Sequence, residues 1–170
     1  MTNAISIRDA VAADAGRIAE IWNIGIAERQ ATFETVPRSA DDLRARIAEG
    51  ARLPLLVAVD GDAGILGWAG LSRYRERACY AGVVDFSIYL DPAARGRGTG
   101  RALLAALIDA ATTRGYWKLL SRIFPENGAS RALCAALGFR EVGVYRRHAR
   151  LDGVFRDVVI VERLLGPDSA

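Results

Sequence analysis

The chain has 170 residues, of which 51% are hydrophobic, so it can bury one core and is too short for two ordinary domains. Its 23 basic and 20 acidic residues are interspersed and leave a net charge of +3, which argues against a nucleic-acid partner. The sequence shows neither a targeting pattern at its N-terminus nor an apolar run of about 20 residues that would span a bilayer. We therefore expect one cytoplasmic domain with no membrane partner.

The basic residues are mostly arginines, and several of them are clustered along the chain. Arginine favours bidentate partners such as carboxylate and phosphate, so these clusters indicate small anionic ligands. The clusters are Arg73/Arg75/Arg77, Arg95/Arg97/Arg101 and Arg146/Arg147/Arg150.

The two cysteines, Cys79 and Cys134, are isolated and lack C-x-x-C spacing. The chain also has a single histidine, so a structural zinc site has too few ligands of the usual kind. We predict two free thiols, no disulfide and no metal site.

Hydrophobic periodicity and turn residues predict the elements of the first half of the chain. Apolar residues recur at helical spacing after Ala12, and Ser39 stands three residues before Asp42, close to a capping box. An Asp-Gly pair between two apolar runs is typical of a hairpin turn. The predicted elements are a strand at 5–8, a helix at 12–27, a helix from 39 to 50, and antiparallel strands at 53–59 and 65–71 joined by the turn 60–64.

Strands and helices alternate in the second half of the chain. Apolar and polar residues alternate from Val83 to Leu90, so Asp85 is expected to face a cleft or solvent while Phe86 packs on the core. A helix connects this strand to the next one, so the two strands should run parallel. The predicted elements are a strand at 83–90, a helix at 101–114, a strand at 117–123, a helix capped by Asn127 and ended by Gly138, and a hairpin of 139–147 and 154–164 around Asp152-Gly153.

The segment Arg95-Gly96-Arg97-Gly98-Thr99-Gly100 lies between a predicted strand and a predicted helix. Glycines there let backbone N–H groups and the positive end of the helix dipole face an anion, so the segment predicts a phosphate-binding loop. The dinucleotide fingerprint would need glycine where Arg101 stands, and a Walker loop would need a lysine in the turn, whereas the chain's one lysine is Lys118.

The remaining pattern, R-x-x-G-x-G, resembles the coenzyme A pyrophosphate loop of the GNAT superfamily of N-acetyltransferases. The order of predicted elements and the segments Asn127-Gly128-Ala129-Ser130 and Leu137-Gly138-Phe139 are similar to that superfamily as well. The resemblance implies an α/β (α+β) GNAT fold: one mixed, mostly antiparallel sheet, with a parallel pair splayed at the cofactor site and about four flanking helices. The resemblance covers residues 5–165, the core of the single domain expected over 1–170, and the last residues, 166–170, are expected to form a frayed tail.

The same resemblance implies acetyl-CoA as co-substrate, bound without a metal. Its pyrophosphate would meet backbone N–H groups of the loop, and its pantetheine arm would run along the end of the strand at 83–90 toward Asn127. The residues implied to bind the cofactor are Tyr89, Leu90, Arg95, Arg97, Gly98, Thr99, Gly100, Arg101, Asn127 and Ser130.

Within the superfamily the chain looks most like the phosphinothricin and arsinothricin N-acetyltransferases. The matching segments are 31–34, 74–77 with Tyr80, 84–89, and Gly153 with Phe155 and Asp157. The resemblance implies acetylation of the α-amino group of a small anionic amino acid analogue, such as phosphinothricin, arsinothricin or methionine sulfoximine, giving antibiotic or herbicide resistance. It further implies a homodimer, and substrate binding by Phe33, Arg75, Arg77 and Tyr80.

Acetyl transfer requires a neutral amine, and Asp85 occupies the position matched in that group by a glutamate, which implies a general base. The aspartate is one methylene shorter, so it would act directly, through a water, or by orienting the ammonium group; the alternative is an ion pair with a nearby arginine. Cys134 stands where the superfamily usually has a tyrosine as the acid. Three tryptophans, Trp22, Trp68 and Trp117, are predicted to pack in the core.

Two other functions stay open at this point. The fold and cofactor would be kept if the acceptor were another small amine or amino acid. Alternatively, the chain would be a non-catalytic acyl-CoA sensor, as the shortened Asp85 and the cysteine at Cys134 suggest.

Overall fold

A computed structural model of the chain describes residues 5–61 and 64–167. Short 3-10 turns at 12–14, 78–80 and 92–94 join some of the main elements. The strands are β1 (Ser6–Asp9), β2 (Leu55–Asp60), β3 (Gly64–Arg73), β4 (Val83–Leu90), β5 (Lys118–Ile123), β6 (Arg140–Leu151) and β7 (Val154–Leu164). The helices are α1 (Ala15–Glu28), α2 (Ala40–Ala48), α3 (Thr99–Thr113) and α4 (Gly128–Ala136).

The described strands form one mixed sheet in the order β1-β2-β3-β4-β5-β7-β6. All neighbours are antiparallel except β4 and β5, which pair in parallel over Val83–Asp85 and Lys118–Leu120. The pairing ends there although β4 continues for five more residues, so the two strands part at their carboxyl ends. This confirms the predicted mixed sheet with a splayed parallel pair and four flanking helices.

Helices cover both faces of the sheet. On one face, Leu103, Leu104 and Leu107 of α3 are fully buried against the sheet, together with Cys134 of α4. On the other face, α1 and α2 pack over β2 and β3 around Trp68. Helix α3 therefore packs on one face of the sheet through its leucine stripe, as predicted. It also connects β4 to its parallel partner β5.

Local signals set the turns and helix starts. The Ser39 Oγ accepts a hydrogen bond from the Asp42 N–H at 3.1 Å, and the Ser39 N–H donates to the Asp42 carboxylate at 2.8 Å, which confirms the capping box. Asp152 and Gly153 have φ of 49° and 80°, as a two-residue hairpin turn with left-handed central residues requires.

Several element boundaries differ from the predictions. The first helix begins at Ala15, after a 3-10 turn, and α3 begins at Thr99, inside the glycine-rich segment. Strand β6 extends to Leu151, beyond its predicted end at 147. The predicted strand was too short because a pairing irregularity around Arg147, whose φ is 48°, interrupts the side-chain alternation. The predicted turn residues 62–63 and the tail residues 168–170 lie outside the described part of the chain.

The predicted packing of the tryptophans is right for two of the three. Trp22 and Trp68 lie 4.7 Å apart between ring centroids, and Trp68 is 2% exposed. Trp117 is 50% exposed, so its predicted place in the core is wrong. Its ring instead covers Gly82, where a Cβ atom would approach a ring carbon to 2.0 Å, so a glycine is needed for this contact.

Candidate active site

The glycine-rich segment forms the connection from β4 to α3. The Asp91 carboxylate accepts a hydrogen bond from the Ala93 N–H at 2.8 Å and starts a 3-10 turn. Gly96 and Gly98 then take φ of 73° and 84°, the left-handed region that favours glycine, and α3 begins immediately afterwards. The first N–H groups of a helix have no intrahelical acceptor, so this turn presents donors and a positive dipole end together.

A cavity of about 520 Å³ adjoins this segment, and we call it the loop cleft. Of the ten residues predicted to bind cofactor, eight line it. They are Tyr89, Leu90, Arg95, Gly98, Gly100, Arg101, Asn127 and Ser130. Thr99 is 1% exposed below the turn, and Arg97 lies on the turn outside the cavity lining.

Two of these side chains also hold the structure together. The Arg95 guanidinium donates to both carboxylate oxygens of Glu28 at 2.9 Å and fastens the turn to α1. The Asn127 Oδ1 accepts a hydrogen bond from the Ser130 N–H at 3.1 Å, and its side-chain amide donates to the Gln30 carbonyl at 3.4 Å. Asn127 therefore caps α4, as predicted, and ties it to the segment after α1.

A second cavity, of about 430 Å³, lies where β4 and β5 part, and we call it the central cleft. It shares Tyr89, Asn127 and Ser130 with the loop cleft, so the two cavities adjoin. Its walls come from β4, from the end of β5, from residues 31–34 and from α4. The predicted residues Phe33 and Asp85 both line it, as does Cys134.

Asp85 lies on β4 at the last residue of the parallel pairing, opposite Leu120. Its side chain is 16% exposed, and one carboxylate oxygen accepts a hydrogen bond from the Arg122 guanidinium at 3.1 Å. Burial raises the pKa of Asp85 above that of an ordinary aspartate, although the charges of Arg122 and Arg75 act in the opposite direction. Both possibilities left open for this residue, a cleft position and an arginine pair, are therefore present together.

The predicted arginines lie beside the central cleft rather than inside it. Arg75, Arg77 and Tyr80 belong to the segment between β3 and β4 and line a third cavity of about 840 Å³, the arginine cleft, which shares Ser72 with the central cleft. Arg75 stacks over the Tyr74 ring at 5.1 Å, and its charge acts on Asp85. The four predicted substrate residues thus lie in two cavities. Phe33 lines the central cleft, whereas Arg75, Arg77 and Tyr80 line the arginine cleft.

Aromatic rings form the outer wall of the central cleft. Phe33 meets Phe124 edge-to-face, with ring centroids 5.0 Å apart, and lies 6.5 Å from the ring of His148. On the inner side, Tyr89 stacks on Trp68 at 5.0 Å. Burial raises the pKa of Tyr89, and a hydrogen bond with Thr32, which also lines the central cleft, acts against that shift.

Cys134 is 2% exposed, and burial raises the pKa of its thiol to about 11. It is therefore protonated at neutral pH and faces the central cleft. Both Cys134 and the exposed Cys79 are free thiols, as predicted.

Arg122 is a charged side chain of the candidate site that the sequence did not single out. The parallel register would have located it, because Leu120 lies opposite Asp85 and a side chain two residues further along β5 points to the same face. The guanidinium of Arg122 also lies 6.0 Å from the Tyr74 ring. The Asp85–Arg122 pair therefore places one negative and one positive group side by side in the central cleft.

Comparison with known proteins gives the family. The Acetyltransferase (GNAT) domain family matches residues 5–140. A phosphinothricin N-acetyltransferase of Streptomyces coelicolor is 34% identical over 168 residues, covering 96% of this chain and 98% of that protein. An L-methionine sulfoximine/L-methionine sulfone acetyltransferase of Pseudomonas aeruginosa is 32% identical over 95% of both chains.

The structure is similar to that of a GNAT superfamily phosphinothricin acetyltransferase from Sinorhizobium meliloti in complex with AcCoA. The TM-score is 0.89 at 36% identity, covering 98% of this chain and 90% of that one. The chain belongs to the GNAT acetyltransferase family, and the expected family, fold and acetyl-CoA dependence are confirmed.

Residues 5–61 and 64–167 contain no group of three or more histidine, cysteine, aspartate or glutamate side chains placed to hold a metal ion. Among the same residues, no helix has the length and apolar character to cross a membrane.

We predict that Asp85 titrates above the ordinary aspartate pKa of about 3.9, because burial outweighs its neighbouring arginines. Arg122→Gln removes the positive charge that is hydrogen-bonded to Asp85, so it should raise that pKa further. A carboxyl-carbon NMR titration measures both values, with Asp85→Asn used to assign the resonance. A pKa at or below the ordinary value in the wild-type protein would contradict the described burial.

Proposed function

We propose that the protein transfers the acetyl group of acetyl-CoA to the α-amino group of a small anionic amino acid analogue, of the phosphinothricin, arsinothricin or methionine sulfoximine type, and so gives resistance to it. The observation that carries the proposal is the position of Asp85. Its carboxylate lies in a cleft between parting strands and beside arginines. The names of two relatives, a phosphinothricin and a methionine sulfoximine acetyltransferase, support the acceptor class.

The loop cleft fits the cofactor. A Cβ atom added at Gly100 would lie 3.3 Å from Leu90 and 3.5 Å from Leu133, so a larger residue would fill the cradle at the start of α3. Backbone N–H groups of the first turn of α3 would hold the pyrophosphate, and Asn127 and Ser130 would line the path of the pantetheine arm. Bound there, acetyl-CoA supplies a thioester carbonyl carbon open to attack by an amine.

Asp85 performs the proton chemistry in this proposal. The acceptor arrives as an ammonium ion and loses one proton to the Asp85 carboxylate, directly or through a water, so that its nitrogen has a free electron pair. That pair forms the new C–N bond, the C–S bond breaks, and its electrons leave on the coenzyme A sulfur. The acetylated nitrogen gives up its surplus proton, the thiolate takes up one proton, and Asp85 returns the proton it accepted to solvent, so that the products are the N-acetyl compound and free coenzyme A.

The neighbouring cations select an acidic acceptor. Arg75, stacked on Tyr74 and near enough to act on Asp85, would bind the acidic head at the far end of the molecule. Arg77 and Tyr80 would complete the wall of the arginine cleft. Phe33 and Phe124 would contact the methylene chain between the acceptor's two polar ends.

Thiol release from acetyl-CoA tests the proposal, with phosphinothricin, methionine sulfoximine, glutamate, a polyamine and an aminoglycoside as acceptors and with product masses checked. We expect acetylation of the glutamate analogues alone. Asp85→Asn should lower kcat by about 10² or more, because the base is lost, while acetyl-CoA binding stays intact. Asp85→Glu, which restores the longer acid, is the matched control and should stay active.

Two results would contradict this function. Turnover confined to the polyamine or the aminoglycoside would move the acceptor to another class. Coenzyme A binding without turnover on any amine would favour a sensor. A near-normal rate for Asp85→Asn would leave the transferase function in place and would show that Asp85 is not the general base.

Arg75→Ala should raise the KM for an anionic acceptor while leaving that for acetyl-CoA nearly unchanged. A lost charge-assisted hydrogen bond costs about 1.5–3 kcal/mol, or roughly ten- to hundredfold in KM. Steady-state kinetics measures the effect, and Arg44→Ala, at an exposed arginine paired with Asp41 on α2, is the control. Equal kinetics for the two variants would show that Arg75 is a surface charge.

We also infer that two copies of the chain pair through β6. This strand is 12 residues long, lies at the edge of the sheet and exposes Val142, Val144 and Tyr145 to between 47% and 54%. A long edge with exposed apolar side chains is a ready template for pairing.

Analytical ultracentrifugation tests the pairing. We expect a dimer for the wild-type protein and a monomer for Val144→Asp. Val36→Asp, at a valine 73% exposed in the loop before α2, is the control and should remain dimeric. A monomeric wild-type protein would refute the pairing.

A further inference from the structure

Arg122, the hydrogen-bond partner of Asp85, is a charged group of the central cleft to which the proposed function gives no role. The two side chains come from neighbouring parallel strands and both line the central cleft. Their hydrogen bond is 3.1 Å long, and their side chains are 16% and 38% exposed. The pair is therefore open enough to the cleft for an acceptor to meet both charges at once.

An α-amino acid carries the complementary arrangement on a single carbon, with an ammonium group and a carboxylate side by side. We propose that the Asp85–Arg122 pair receives this zwitterion: Arg122 binds the acceptor's α-carboxylate while Asp85 binds its amine. The inference rests on the proposed function and narrows its substrate class, because an acceptor must keep a free carboxylate next to the amine. A simple amine or an amide of the same amino acid would leave Arg122 without its partner.

The two arginines near the Tyr74 ring, Arg75 and Arg122, differ in how they interact with Asp85. The Arg75 guanidinium lies 5.1 Å from the Tyr74 ring and the Arg122 guanidinium 6.0 Å from it. Arg122 reaches Asp85 by a hydrogen bond, whereas Arg75 acts on that carboxylate through charge alone. Arg122 is thus placed for the acid beside the reacting amine, and Arg75 for the acid at the other end.

Arg122 has enough hydrogen-bond donors to bind the acceptor's carboxylate when Asp85 turns to the ammonium group. A guanidinium has five N–H groups in a planar fork that suits a carboxylate, and the bond to Asp85 uses one of them. An arriving carboxylate can therefore bind Arg122 while Asp85 turns to the ammonium group. The Asp85 carboxylate, the acceptor's ammonium group, the acceptor's carboxylate and the Arg122 guanidinium then alternate in sign, which keeps each buried charge next to an opposite one.

The test compares Arg122→Gln with the wild-type protein on two acceptors that differ in one group: phosphinothricin and the amine that remains when its α-carboxylate is removed. We expect Arg122→Gln to raise the KM for phosphinothricin about ten- to hundredfold and that for the amine less than threefold, since only the first acceptor loses a charge-assisted bond. Arg122→Lys, which keeps the charge without the fork, should fall between. Arg44→Gln is the control and should match the wild type.

Each result decides the question. An equal rise for both acceptors would show that Arg122 acts only through Asp85, and no rise would show that it does not bind the acceptor; either overturns the inference. Acetyl-CoA binding checks that each variant is folded, and Arg122→Lys carries the comparison if Arg122→Gln does not fold. If the wild-type protein acetylates the amine with the same efficiency as phosphinothricin, the inference is refuted and the transferase activity remains established. A wild-type protein that acetylates neither refutes the proposed function, and the inference with it.

Discussion

The parting of β4 from β5 is the constraint on which the site depends. Parallel pairing ends at Asp85 and Leu120, and β4 runs on to Leu90 without its neighbour. The open wedge forms the central cleft. The crossover helix α3, which links the two strands, is held on the sheet by its fully buried leucines.

Two opposing electrostatic effects meet at Asp85. Burial makes the carboxylate a stronger base, whereas the hydrogen bond from Arg122 stabilises its charged form and makes it a weaker one. A base that stays paired with a guanidinium is poorly suited to take a proton. An acceptor that brings its own carboxylate resolves this conflict, because it engages Arg122 at the moment when Asp85 is needed. Substrate recognition and proton transfer would then be two consequences of one ion pair.

Much of this site follows from the sequence because its signals are local. Side-chain alternation predicted that Asp85 faces a cleft or solvent, and the glycine-rich segment predicted a turn that opens a helix. In the structure Asp85 lines the central cleft, and Gly96 and Gly98 take left-handed conformations just before α3. Hydrophobic periodicity and turn residues supplied the element order, and that order resembles the one of GNAT enzymes. Local signals say less about the arginines, since a run of them at the end of β3 does not reveal which cavity each one lines.

The missed features are relations between distant segments. The partnership of Arg122 with Asp85 depends on the register of two strands that α3 separates in sequence. The bond of Arg95 to Glu28 depends on how α1 lies over the loop, so a residue expected to meet the cofactor also braces the fold. The length of β6 was underestimated because the irregularity around Arg147 interrupts the alternation on which strand prediction relies.

A crystal structure with coenzyme A and a glutamate-analogue acceptor would test the central claim most directly. The account predicts the thiol sulfur in the wedge between β4 and β5, and the acceptor nitrogen within hydrogen-bond distance of the Asp85 carboxylate or one water away from it. An acceptor nitrogen in the arginine cleft near Arg77 and Tyr80, with Asp85 still paired to Arg122, would contradict it.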